Sequence, residues 1–135
     1  MKDNIKIYGV IPRRGFIEAS GDYEFFKALL NYIAKRGLKP VVYSSILYAY
    51  RIGRSGYQVE LLPSDPSIVC RGDTVVVLVD KDLGIEYYRY LVECSEKRLV
   101  VVYRLSNKKA SEYMVVKTGV NKYRIVAFTR KTLII

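Results

Sequence analysis

The chain has 135 residues, 50% of them hydrophobic, and a formal net charge of +10. This length favours one domain built around one core. The chain has no histidine and only two cysteines, Cys70 and Cys94. Histidine-based acid–base catalysis, Ser-His-Asp and Cys-His triads and the usual zinc sites are therefore excluded. With so few cysteines, we expect no disulfide and interpret both as small buried apolar side chains.

The positive charge is concentrated near the C-terminal end. Residues 1–96 contain 13 Lys and Arg against 12 Asp and Glu, whereas residues 97–135 contain 10 Lys and Arg against one acid. Such asymmetry favours a polyanionic partner, with nucleic acid the first candidate and an anionic membrane surface the second. The alternative is that these cations simply keep a small sheet soluble.

The length of the apolar runs and the residue composition also indicate the cellular location and the source of the protein. No run approaches the roughly 20 residues that span a bilayer, and the N-terminus lacks the apolar segment of a signal peptide. We therefore expect an intracellular, cytoplasmic protein that binds no membrane. A single glutamine, Gln58, among many charged residues is typical of a thermophilic source.

Strands and helices alternate along the first 105 residues. The pattern predicts, in chain order, strands at 5–11 and 16–18, a helix at 23–36, a strand at 40–43, a short helix at 45–52, a strand at 57–62, a loop at 63–67, a strand at 74–79, a helix at 85–96 and a strand at 99–105. Asp22 is positioned to cap the first helix, and Gly37 to end it.

The strand at residues 74–79 is an unbroken apolar run that ends in Asp80 and Asp82. A run of this kind is typical of a strand buried on both faces, as in a parallel sheet. Together with the alternation it predicts an α/β fold, with a mostly parallel central sheet and flanking helices as in Rossmann-like proteins.

The pattern changes after residue 105. Alternating runs at 112–117 and 122–129 surround Gly119-Val120-Asn121, which predicts a basic antiparallel β-hairpin. Residues 131–135 are a candidate for a short edge strand. We expect a single domain over residues 1–135, in which an α/β unit with an N-terminal strand (1–105) carries a basic hairpin appendage (106–135).

Four acidic residues are predicted near one edge of the sheet: Glu18, Asp22, Asp80 and Asp82. If the strands that they follow are parallel near neighbours, these side chains meet where a divalent cation such as Mg²⁺ or Mn²⁺ finds oxygen ligands. The alternative is that Glu18 and Asp82 are exposed loop acids, and that Asp22 and Asp80 are helix caps or turn formers.

The same residues resemble the Toprim family. Glu18-Ala19-Ser20-Gly21-Asp22 before a helix is similar to the first Toprim motif, and Asp80-Lys81-Asp82-Leu83-Gly84 is similar to the second. The resemblance covers roughly residues 14–105. Ala19 departs from the pattern, because the family usually has glycine there.

This resemblance implies Mg²⁺ or Mn²⁺ binding by Glu18, Asp80 and Asp82, with Asp22 nearby, and phosphodiester chemistry on DNA or RNA. The two aspartates would hold the ion, which polarises the phosphate. Glu18 would bind the metal or act as general acid or base.

The cations that we expect to contact nucleic acid lie on both sides of this unit in the sequence. They are Arg13, Arg14, Lys108, Lys109, Lys117, Lys122, Arg124, Arg130 and Lys131. Tyr123 offers a stacking face beside Arg124.

Three functions follow as hypotheses. The first is a small Toprim-like, metal-dependent nuclease or phosphotransferase. The second is a non-catalytic nucleic-acid-binding or assembly module on the same fold. The third is an interaction protein, for example a homodimer that pairs through the apolar edge at residues 132–135.

Overall fold

A computed structural model describes residues 5–45, 52–53 and 56–128. Within these residues, eight strands form one sheet, and three helices pack on it. In chain order they are β1 (Lys6–Tyr8), β2 (Gly15–Gly21), α1 (Tyr23–Lys35), β3 (Val41–Ser44), β4 (Gln58–Leu61), α2 (Pro66–Val69), β5 (Thr74–Val79), α3 (Ile85–Cys94), β6 (Leu99–Leu105), β7 (Glu112–Gly119) and β8 (Lys122–Phe128). None of the helices described is long and apolar enough to cross a membrane.

The strand order across the sheet is β1-β7-β8-β2-β6-β5-β3-β4. Six neighbouring strands, from β8 to β4, are parallel to one another. β7 is antiparallel to β8, and β1 runs parallel to β7. The expected α/β class, the mostly parallel sheet and the C-terminal hairpin are thus confirmed, and β8 joins the sheet directly beside β2.

Helices cover both faces of the parallel part of the sheet, which we call the α1 face and the α3 face. Ile17, Val76 and Val101 pack on the α1 face with Phe26 and Leu29 of the helix. The alternate residues of the same strands, such as Val75, Val77 and Val100, pack on the α3 face together with Leu91. Every residue of β5 is buried, as its continuous apolar run predicts.

The first helix begins and ends where its sequence predicts. The Asp22 carboxylate accepts a hydrogen bond of 3.0 Å from the Phe25 backbone N–H, which makes it the N-cap. Beyond the C-cap Arg36, Gly37 adopts a φ of +84°, a left-handed conformation that favours glycine.

Several sequence predictions were wrong in detail. β2 continues to Gly21, so Glu18 lies within this strand and not at its end. The segment predicted as a loop at 63–67 contains the start of α2, which Asp65 caps. Cys70 and Cys94 form a disulfide and are not two free thiols, so the expectation of no disulfide was wrong. The predicted helix at 45–52 and the edge strand at 131–135 lie largely or wholly outside the described residues.

The disulfide was missed because its two cysteines are 24 residues apart, in no recognisable spacing pattern. The fold brings them together: Cys70 is the C-cap of α2 and Cys94 is the last residue of α3, and these two helices lie side by side on the α3 face.

Candidate functional site

A cleft of about 580 Å³ lies over the carboxyl ends of the central strands, beside the N-terminal end of α3. Its polar lining consists of Glu18, Ser20, Lys81, Asp82, Tyr88, Arg104 and Arg124. The volume lies in the range of small-molecule sites, and the position is the one where open α/β sheets place their ligands. We call this region the carboxyl-edge cleft.

Glu18 reaches this cleft because strand alternation puts it on the same face as Phe16, while Ile17 between them enters the core beneath α1. In the register of β2 and β8, Glu18 lies directly opposite Arg124. The Tyr88 side chain lines the same cleft as Glu18. Burial first, and then the neighbouring Glu18 carboxylate, raise the pKa of Tyr88 to about 12, against the opposing effect of Arg124.

Asp82 is also matched by a cation. Arg104 is the penultimate residue of β6, and its Nη1 lies 2.6 Å from Oδ1 of Asp82. Both side chains are more than half exposed, so this pair adds no more than about 1 kcal/mol to stability. Its importance lies in charge: Asp82 faces a guanidinium, as Glu18 does.

The structure brings only part of the predicted carboxylate group together. Glu18 and Asp82 line the same cleft, whereas Asp80 is exposed outside its lining and Asp22 is engaged as the helix cap. In the sheet register, Glu18 is level with Val77, two strands away and three residues before Asp80. Strand geometry then puts the Cα atoms of Glu18 and Asp80 about 14 Å apart. Among the described residues, no group of three or more Asp, Glu, Cys or His side chains is arranged to hold a metal.

The opposite edge of the sheet, where the parallel strands begin, has a different electrostatic character. We call it the amino edge. The described loops and strand ends there contain two acids, Asp73 and Glu96, and nine cations: Arg13, Arg14, Arg36, Lys39, Arg71, Lys97, Arg98, Lys117 and Lys122. Nine minus two leaves a net charge of +7. Without the strand residues Lys117 and Lys122, the described loops of the amino edge contain seven cations and two acids, a net charge of +5. The described loops at the carboxyl edge contain three cations and four acids, which leaves a net charge of −1.

Few of the amino-edge cations are engaged elsewhere. The salt bridges within the described chain are Lys27 with Glu24 and Arg104 with Asp82, so no amino-edge cation forms one. Arg98 is one that is engaged, because its guanidinium donates hydrogen bonds to the backbone carbonyls of Cys94 and Gly72. Arg71 lies close enough to Asp65 and Tyr43 for its charge to favour the ionised form of both. The remaining cations leave a broad positive surface available to an anionic partner.

This arrangement divides the cations that the sequence assigned to nucleic acid. Arg13, Arg14, Lys117 and Lys122 lie at the amino edge, the last two beside the hairpin turn. Lys108 and Lys109 lie in the loop after β6, at the carboxyl edge, and Arg124 lines the cleft. Tyr123 points to the α1 face and packs partly against the core there. Arg130 and Lys131 are outside the described residues.

The sequence reasoning missed Arg36, Lys39, Arg71, Lys97 and Arg98 at the amino edge, as well as Arg104 and Tyr88 in the cleft. A signal for the first group was present. A Lys or Arg stands one to three residues before each of four parallel strands: β2, β3, β5 and β6. Because parallel strands begin at the same edge, a cation before each start predicts a row of charge.

No protein-family model matches this chain, and comparisons with curated proteins and with solved structures find no match. Inference about its function therefore rests on the residues of the two edges.

Proposed function

We propose that this protein is a nucleic-acid-binding module that contacts the phosphate backbone of DNA or RNA through its amino edge. The observation behind the proposal is the net charge of +7 in the described loops and strand ends of that edge, where no cation forms a salt bridge. Phosphate contacts by Lys and Arg provide most of the affinity of sequence-independent binding.

The dimensions of the edge fit this partner. Its cations are distributed over five neighbouring strands, from β3 to β8, and four strand spacings amount to about 19 Å. Successive phosphates of one duplex strand advance about 3.4 Å along the axis, so the edge spans about five or six base pairs. We therefore expect about three to five phosphate contacts.

The test is binding of a fluorescent oligonucleotide, as duplex DNA, duplex RNA and single strands, measured by anisotropy over a series of salt concentrations with chelator present. A protein that neutralises three to five phosphates of a DNA duplex gives a slope of log K against log salt of about −3 to −5. The triple variant Arg14→Ala/Lys117→Ala/Lys122→Ala should weaken binding and reduce the slope by about one for each phosphate that it no longer neutralises.

The matched control is Lys81→Ala/Lys108→Ala/Lys109→Ala, which removes three exposed cations from the carboxyl edge. The seven residues of β2 hold the two edges about 20 Å apart, beyond the screening length of about 8 Å at physiological salt. This control should bind nearly as well as the wild type. Affinity that does not depend on salt would refute the proposal, as would a greater loss of affinity in the control than in the amino-edge variant.

A second candidate function is the metal-dependent phosphodiester hydrolysis implied by the Toprim resemblance. One observation favours it: Glu18 and Asp82 line a single cleft of about 580 Å³. A metal there would compete with Arg104 and Arg124 for the two carboxylates. The test is a thermal-shift titration with Mn²⁺ and Mg²⁺, in which metal that binds the folded state raises the melting temperature. A rise in the wild type that is absent in Asp80→Asn/Asp82→Asn places a metal at the Asp80/Asp82 strand end, and hydrolysis is then tested by nuclease assay. No rise in either protein leaves the binding module.

A further inference from the structure

A cavity of about 460 Å³ opens in the middle of the amino edge. Arg13 lies before β2, Lys39 before β3 and Lys97 before β6, and all three line it with Asp73 and the backbone around Gly37. The three cations come from separate loops, so their convergence is a product of the fold. The site is concave, whereas a nucleic-acid backbone that passes along an edge needs only a row of charges.

The charge of this cavity selects among phosphate groups. Three cations and one acid give its charged lining a net charge of +2. An internal phosphodiester carries one negative charge, whereas a phosphate monoester carries about −1.5 to −2 at pH 7, because its second pKa is near 6. A monoester also has three terminal oxygens for the converging donors, where a diester has two.

We propose that this cavity binds the terminal phosphate monoester of a nucleic-acid strand, so that the module recognises phosphorylated ends. This inference rests on the proposed nucleic-acid binding at the same edge and adds its ligand specificity. The other amino-edge cations contact the adjoining phosphate backbone of the nucleic acid, and the cavity binds its terminal phosphate.

The residue composition of the chain allows protonation of the ligand to be detected through its effect on binding. It has no histidine, and the charged groups that line the cavity are Arg13, Lys39, Lys97 and Asp73. Histidine is the side-chain type that ordinarily changes its charge between pH 5 and pH 8. A preference that weakens between pH 7 and pH 5.5 therefore reports protonation of the monoester, whose second pKa is about 6.

The experiment compares short single-stranded oligonucleotides of one sequence that end in a 5′-phosphate, a 3′-phosphate or hydroxyls only. Each is labelled internally and titrated with the full-length protein. We expect at least one phosphorylated end to bind about tenfold tighter than the hydroxyl form at pH 7, as one charge-assisted contact provides. The comparison of 5′ and 3′ arms identifies the end that enters. The preference should weaken by up to about fourfold at pH 5.5, where most of the monoester has lost its second negative charge and keeps its first.

The variant Lys39→Ala/Lys97→Ala should abolish the preference, because it removes two of the three cations. Lys108→Ala/Lys109→Ala also removes two positive charges, but from the opposite edge. This variant should retain the preference for phosphorylated ends. Equal binding of all three oligonucleotides overturns the inference and leaves the proposed function intact. An unchanged preference in Lys39→Ala/Lys97→Ala has the same consequence. Absence of binding to all three oligonucleotides also overturns the inference, and the proposed function is then decided by the duplexes tested above.

Discussion

Glu18 and Arg124 lie directly opposite each other on the neighbouring strands β2 and β8, and both act on Tyr88. The Glu18 carboxylate raises the pKa of the Tyr88 hydroxyl, while Arg124 lowers it. Substitution of the two partners should therefore shift this pKa in opposite directions. Glu18→Gln should lower it toward the ordinary value of 10, although burial, the largest cause, keeps it above 10. Arg124→Gln should raise it.

The measurement is an NMR titration of tyrosine carbons, with Tyr88→Phe to assign the resonance. The pair of variants is a stringent test, because each removes a charge and keeps a polar side chain. Shifts of the same sign in both variants would mean that Arg124 does not face Tyr88 in solution.

Several tyrosines make the stability of the fold sensitive to alkaline pH. Burial is the main cause that raises the pKa of Tyr87, Tyr88 and Tyr113 to about 12, and it also raises the pKa of Tyr103. The unfolded chain, with tyrosine pKa values near 10, releases these protons first as the pH rises. Stability should thus be fully retained below about pH 10 and fall progressively between pH 10 and 12.

The check is urea unfolding at a series of pH values from neutral to 12, followed by circular dichroism. Tyr88→Phe should flatten the decline, because one contributing group is removed, whereas substitution of the exposed Tyr8 by Phe should leave it unchanged. A free energy of unfolding that stays constant to pH 12 contradicts the burial of these hydroxyls.

The sequence was a good guide to the elements that follow from local periodicity. The buried run of β5, the Asp22 cap and the hairpin turn were predictable, since each depends on residues that are close along the chain. The length of β2 was not, because Ala19, Ser20 and Gly21 have weak strand preference and pair with β6 only through the fold.

The same contrast between local and long-range relationships in the sequence applies to the candidate site. The carboxylates were identified as individual residues, but their partners come from strands distant in sequence: Arg124 meets Glu18 across 106 positions, and Arg104 meets Asp82 across 22. Strand order decides these meetings. It also separates Glu18 from Asp80, because β6 inserts between β2 and β5.

Gly21 occupies a point of close approach at the end of β2. A methyl group there would lie 2.8 Å from the Tyr103 hydroxyl oxygen and 3.0 Å from the Phe25 ring. Tyr103 cannot easily retreat, since its hydroxyl donates a 2.6 Å hydrogen bond to the Asp22 carbonyl. We expect Gly21→Ala to destabilise the protein by about 1–3 kcal/mol through overpacking.

Gly72→Ala is the matched control for this prediction. A methyl group at Gly72 would meet only Val75 Cγ2, at an ordinary contact distance of 3.7 Å. Its effect should stay within about 0.5 kcal/mol. Both variants are compared by denaturant unfolding, and equal stabilities would show that the aromatic cluster yields to the added methyl.

The Cys70–Cys94 disulfide should contribute substantially to stability. It joins the end of α2 to the end of α3 and closes a loop across a sequence separation of 24 residues, for which chain entropy gives about 3 kcal/mol. The double variant Cys70→Ser/Cys94→Ser should lose about that amount in denaturant unfolding. Reduction of the wild type should produce the same loss, and the double variant should not respond to reductant.

Nucleic-acid affinity below the melting temperature should be unchanged, because neither cysteine belongs to the cavity at Arg13, Lys39 and Lys97. A double variant as stable as the oxidised wild type would mean that the two helices dock equally well without the bond.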